Sequence, residues 1–71
     1  MRAWYSGRVA TFDEHVGRGE VEAAGGMRFP FHCTAIADGS RTIPTDAAVR
    51  FRLVSGPLGG LEAIAVGPAA A

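Results

Sequence analysis

The stretch HVGRGEVEAAGGMRFPFHC, residues 15–33, places two short runs of strand-forming residues on either side of a Gly-Gly pair. Arg18–Ala23 and Met27–His32 read as strands, joined through Ala24-Gly25-Gly26. A Gly-Gly pair supplies the positive φ that a tight hairpin needs. Gly17-Arg18-Gly19 lacks the Lys-Ser/Thr of a phosphate-binding P-loop and the full glycine pattern of a dinucleotide turn. It reads instead as a strand bending, since a strand glycine often marks a bulge or corner.

Working outward, the same grammar of short apolar or alternating runs continues on both sides, with no helical stripe of any length. A first strand is predicted over Trp4–Phe12, followed by a loop at Asp13–Gly17. Downstream, Cys33–Ile36 reads as a short helical turn and Ala37–Asp46 as a polar connection punctuated by Asp38-Gly39 and Pro44. Ala47–Val54 alternates Val49, Phe51 and Leu53 with Arg50 and Arg52, the pattern of a half-buried strand with one wet face. Ser55–Gly60 is a turn, Leu61–Val66 a fifth strand, and Gly67–Ala71 a tail expected to fray. Residues 1–66 therefore form one domain. Five short strands with a long third connection fit a small, closed or nearly closed antiparallel barrel, because closure removes unpaired edges. Its predicted core is Val9, Val21, Phe29, Phe31, Ile36, Val49, Phe51, Leu53 and Ala63.

Composition narrows the function classes. A 71-residue chain buries only about 60% of the surface it exposes when unfolded, and a lone Cys33 permits no internal disulfide. A single free thiol suits a reducing compartment. Met1–Gly7 holds no apolar run of a secretory leader, and no run approaches the roughly 18 residues needed to cross a bilayer. The expectation is a soluble cytoplasmic protein. Seven arginines, with no lysine, balance seven acids, which argues against a strong polyanion binder unless charge is segregated by face. His15, His32 and Cys33 show no metal-ligand spacing, so neither metal nor cofactor is expected. No acid–base or nucleophile constellation marks an enzyme.

In order along the chain stand Gly7-Arg8-Val9-Ala10-Thr11-Phe12-Asp13, Val16-Gly17-Arg18-Gly19-Glu20-Val21, and Phe29-Pro30-Phe31-His32-Cys33 followed by Thr34-Ala35-Ile36. Arg41-Thr42-Ile43, Val49-Arg50-Phe51 and Gly56-Pro57-Leu58-Gly59 come after them. This ordered set resembles the bacterial cold-shock proteins from Ser6 to Val66. Their motifs at the first three places are Gly-Lys-Val-Lys-Trp-Phe-Asn, Lys-Gly-Phe-Gly-Phe-Ile and Val-Phe-Val-His-Phe. The resemblance implies an OB-fold barrel of the cold-shock type that binds single-stranded RNA or DNA by stacking bases on aromatic rings. Where that family stacks bases, this chain carries Thr11, Arg18, Glu20, Pro30 and Cys33, and Ser40 or Arg41 in the following loop. His32 remains, with Phe12 at the margin. Each stacked base contributes roughly 1–3 kcal/mol, against about 8 kcal/mol for a whole micromolar complex. The implied binding is therefore weak and salt-sensitive.

The residues expected to contact a strand are Phe12, Arg18, His32 and Arg8, with Arg28 as a peripheral phosphate contact. Arginine serves here through charge and through a guanidinium plane that stacks on bases. The competing expectation is a protein–protein interaction module on the same fold, with a protein partner or self-association and no nucleic acid. Several side chains carry two readings. His32 is either a surviving stacking residue or a polar strand residue facing water. Trp4 and Tyr5 either cap the barrel bottom or present an exposed contact. Arg50 and Arg52 form a solvated strand face or a phosphate track. His32 and Cys33, adjacent on a strand, are expected on opposite faces, and an exposed Ile64/Val66 patch would mark a protein contact.

Overall fold

The computed structural model describes residues 3–57 and 59–69. Leu58 of the expected turn and Ala70–Ala71 of the expected tail lie outside the described residues. Strands β1 (Tyr5–Asp13), β2 (Arg18–Ala23), β3 (Arg28–His32), β4 (Ala48–Ser55) and β5 (Leu61–Pro68) form one sheet, with a 3-10 turn at Cys33–Ala35 after β3. The order is β3-β2-β1-β4-β5, with every neighbouring pair antiparallel. Gly25 and Gly26 take φ of 90° and 88° in the β2–β3 hairpin, where a side chain would be strained.

Alternation sorts the side chains. In β3, Phe29 and Phe31 are buried while Arg28, Pro30 and His32 face water. In β4, Val49 and Phe51 point inward, with Leu53 half-buried at the core's margin. Val9, Val21, Cys33, Ile36, Ala63 and Val66 complete the buried cluster around Phe51, which is fully enclosed.

Two irregularities curl the sheet. Between Val9 and Thr11, β1 advances two residues while β2 advances one, so Ala10 is extra. Between Arg50 and Arg52 the surplus residue lies on β5, where Ala65 adopts a left-handed φ of 54°. Bulges of this kind bend a strand and raise its twist. The edge strands β3 and β5 consequently approach each other, and Ile36 bridges Val66 in parallel. Ala37 N–H also donates to the Val66 carbonyl at 2.7 Å. The radius of gyration, 10.9 Å, matches the about 11 Å of a compact chain this long, so the sheet is rolled and barrel-like, not flat. Pro30, at the centre of edge strand β3, has no N–H to give to β5.

The last strand settles the Ile64/Val66 reading and corrects the expected fraying. Val66 turns inward and is fully buried, and Ile64 is half-buried, so no exposed Ile64/Val66 patch exists. Gly67 and Pro68 do not fray: they pair with Arg50 and Val49, and Ala69 N–H donates to the Ala48 carbonyl at 3.2 Å. The start of β4 has backbone groups to satisfy there, and an edge strand tolerates a terminal proline. Tyr5 and Trp4 part company. Tyr5 stacks on Phe51 with centroids 6.1 Å apart, whereas Trp4 lies against Arg50 and Arg52. Among the described residues, no helix is long and apolar enough to cross a membrane.

β1 and β2 approach so closely at Gly19 that a Cβ there would fall on the Thr11 carbonyl oxygen and lie 3.0 Å from the Phe12 Cα. At Gly60 a Cβ meets nothing within 4 Å. Gly19→Ala is expected to cost about 1–3 kcal/mol by overpacking, and Gly60→Ala less than about 0.5 kcal/mol. Denaturant midpoints test this, and equal midpoints would refute the close approach.

Candidate nucleic-acid interface

The outward face of β1–β2–β3 is built from three cross-strand rows. Register places Arg8 opposite Glu22 and Glu22 opposite Arg28 in the first row. Thr11, Glu20 and Pro30 make the second, and Asp13, Arg18 and His32 the third. Three guanidiniums (Arg8, Arg18, Arg28) thus share the face with three carboxylates (Asp13, Glu20, Glu22).

Contacts divide the expected contact residues into two groups. Arg8 gives one guanidinium nitrogen to Glu22 at 3.1 Å and the other to Asp46 at 2.6 Å. Arg28 lies 3.5 Å from Glu20 and 3.7 Å from Glu22. Both arginines stand in exposed ion pairs with these carboxylates, which partly offset their charge. At the other end, Arg18 and His32 are exposed cross-strand neighbours, and no carboxylate lies within 4.0 Å of Arg18 among the described residues.

Phe12 stands elsewhere. The Ala10 bulge turns it away from the row containing Thr11, and it stacks on Phe31 with centroids 5.7 Å apart and planes 13° from parallel. Its ring is half-buried at the core's margin and faces Gly19, which leaves room for it.

His32 ends β3 and caps the 3-10 turn. Its Nδ1 accepts the Thr34 backbone N–H at 3.2 Å, and Thr34 Oγ1 lies 3.0 Å from the same nitrogen. Cys33 Sγ is 3.7 Å from it as well. His32 faces water and Cys33 is buried, as expected of neighbours at a strand end, but the turn that begins at Cys33 still brings its sulfur close to Nδ1. Cys33 itself is buried, and its sulfur lies where a side chain on Gly17 would go.

Beside Arg18 and His32 opens a cleft of about 180 Å³, lined also by Pro30 and Phe31 and, across the β3–β5 seam, by Gly56, Gly60, Leu61 and Glu62. That is below the roughly 300 Å³ at which small-molecule pockets begin, and the cleft is open along one side. It suits a flat group laid along the surface. No set of three potential metal-ligating side chains gathers among the described residues.

The loop after the turn is tied down locally. Ser40 N–H donates to Asp38 Oδ1 at 2.9 Å, which holds the Asp38 carboxyl below the usual carboxylate range. Ser40 Oγ donates to the Thr42 carbonyl, and Thr42 Oγ1 to Glu14, each at 2.8 Å. Arg41 is exposed with a left-handed φ of 66°.

With Nδ1 accepting from the backbone, the neutral His32 ring carries its proton on Nε2. Long-range nitrogen–proton correlation spectra are expected to show that tautomer for His32. A dominant Nδ1–H form would remove the cap that fixes this ring.

Neither a protein-family model nor a curated protein sequence matches the chain.

Proposed function

We propose that this chain is a non-enzymatic, cytoplasmic OB-fold protein of the cold-shock type that binds single-stranded RNA or DNA weakly. The observation that carries the reading is the Arg18–His32 pair. It joins a guanidinium with no carboxylate within 4.0 Å among the described residues and an imidazole as neighbours on the outer sheet face, beside a cleft that Pro30, Leu61 and Glu62 also line. Arg18 supplies a phosphate contact or a plane for a base, and His32 supplies a ring whose orientation its cap fixes. The rest of the face offers little. Arg8 and Arg28 are paired with Glu20, Glu22 and Asp46, whose charge opposes a phosphate approaching either of them.

A second reading, a protein-interaction module, draws on the alternation of charge on the same face. Mixed charges in fixed register suit a protein surface of complementary pattern better than a uniform polyanion.

Backbone NMR shifts followed during titration with a pyrimidine-rich single strand at low salt separate the two. Saturable shifts at Arg18, Gly19, Phe31, His32 and Leu61 that fade as salt rises are expected. Silence up to millimolar strand would sink the first reading and favour the second. Glu22→Gln removes the carboxylate shared by Arg8 and Arg28. Since an exposed pair is worth about 0.2–1 kcal/mol, the variant is expected to bind the strand about 2–5-fold more tightly. Unchanged affinity would mean that these arginines take no part.

A further inference from the structure

The charge missing from the front of the sheet is found on the outer face of β4. There the Arg50 and Arg52 guanidinium carbons lie 4.0 and 4.6 Å from the centroid of the Trp4 ring. Register sets Arg50 between Ser6 of β1 and Gly67 of β5, and Arg52 beside Ile64. These neighbours are uncharged. No carboxylate lies within 4.0 Å of either arginine among the described residues. Arg52 Nε is covered and has no hydrogen-bond partner there.

An indole and a carboxylate hold a guanidinium in different ways. A carboxylate cancels its charge and occupies its N–H groups, as Glu22 and Asp46 do for Arg8. An aromatic face orients it through cation–π attraction and leaves both the charge and the outer N–H groups for another molecule. Trp4 therefore pre-orders two arginines without neutralising them. Trp4 as a residue is still 41% exposed, so part of it reaches water beside the two guanidiniums.

We infer that Trp4, Arg50 and Arg52 form a second docking surface for single-stranded nucleic acid, on the outer face of β4, two strands along the sheet from the β2 strand that carries Arg18. Two phosphates pair with the two guanidiniums, and the exposed part of Trp4 meets a base beside them. Charge complementarity calls for a polyanion, and the exposed indole favours a strand of bases over an acidic peptide, which has no flat rings to stack. The inference rests on the reading of the chain as a single-strand binder but places the stronger contacts elsewhere.

Trp4 is the one tryptophan in the sequence, so its fluorescence reports this surface directly. The probes are a ten-residue oligothymidylate and, separately, a polyglutamate peptide of matching charge. Oligothymidylate is expected to quench Trp4 saturably and to shift the amides of Ser6, Arg50 and Arg52. Arg50→Gln/Arg52→Gln should weaken binding about tenfold and lower the logarithmic salt slope by about 1.4, at about 0.7 per phosphate. Arg18→Gln should leave the Trp4 response in place. Shifts confined to Arg18, His32 and Leu61 would overturn this inference while leaving the proposed function standing. Trp4 quenching by polyglutamate alone would overturn both in favour of an acidic protein partner, and silence with both probes would overturn both outright. The amide shifts of the unaltered protein distinguish these outcomes even if the double variant fails to fold.

Discussion

One surplus residue in β1 decides what this sheet shows to water. Because side chains alternate, a strand paired without the extra Ala10 would send Thr11 and Asp13 inward with Val9 and push Phe12 out. With it, Phe12 folds onto Phe31, and Thr11 and Asp13 join the outer rows. The surplus in β5 does the same for Val66, which closes the core beside Ile36. Both bulges also supply curvature, and curvature lets ten buried side chains meet around Phe51 in so short a chain. Core and surface chemistry therefore follow from the same two backbone events.

The electrostatics have a corresponding asymmetry. On the front, Arg8 and Arg28 are bracketed by Glu20, Glu22 and Asp46, and that face is close to neutral. On the outer face of β4, Trp4 orients two arginines without cancelling them. The zero formal net charge of the whole chain hides this division. A neutral molecule with sorted charge steers a polyanion to one side of itself, which a uniformly neutral one does not.

Much of the framework was legible in the sequence. Period-two alternation and glycine-marked turns gave the bounds of β2, the inward phenylalanines of β3 and nearly all of the core. The two bulges escaped it. Neither bulge is marked by glycine or proline, since the surplus falls at Ala10 and beside Ala65, so strict alternation carried the reading past both. Strict alternation put Ile64 and Val66 on one face, whereas the frayed Gly67–Pro68 followed from their place near the chain end and the contact role of Phe12 from the family resemblance. Side-chain partners escaped for a different reason. Asp46 lies 38 positions from Arg8, and Trp4 meets Arg50 and Arg52 only through the register of β1 on β4. Local pattern carries no information about such pairs, although Trp4 and the two arginines stood out individually.

Pro30 has a consequence of a different kind. A rolled sheet that is bridged at one end but left cleft at the β3–β5 seam risks exposing a bare strand edge, the usual template on which identical chains add to one another. With proline at the middle of β3, any added strand would find one donor missing and a ring in its path. The seam can then stay open without inviting stacked copies of the protein. One absent amide proton thus makes this edge a poor template for a further strand.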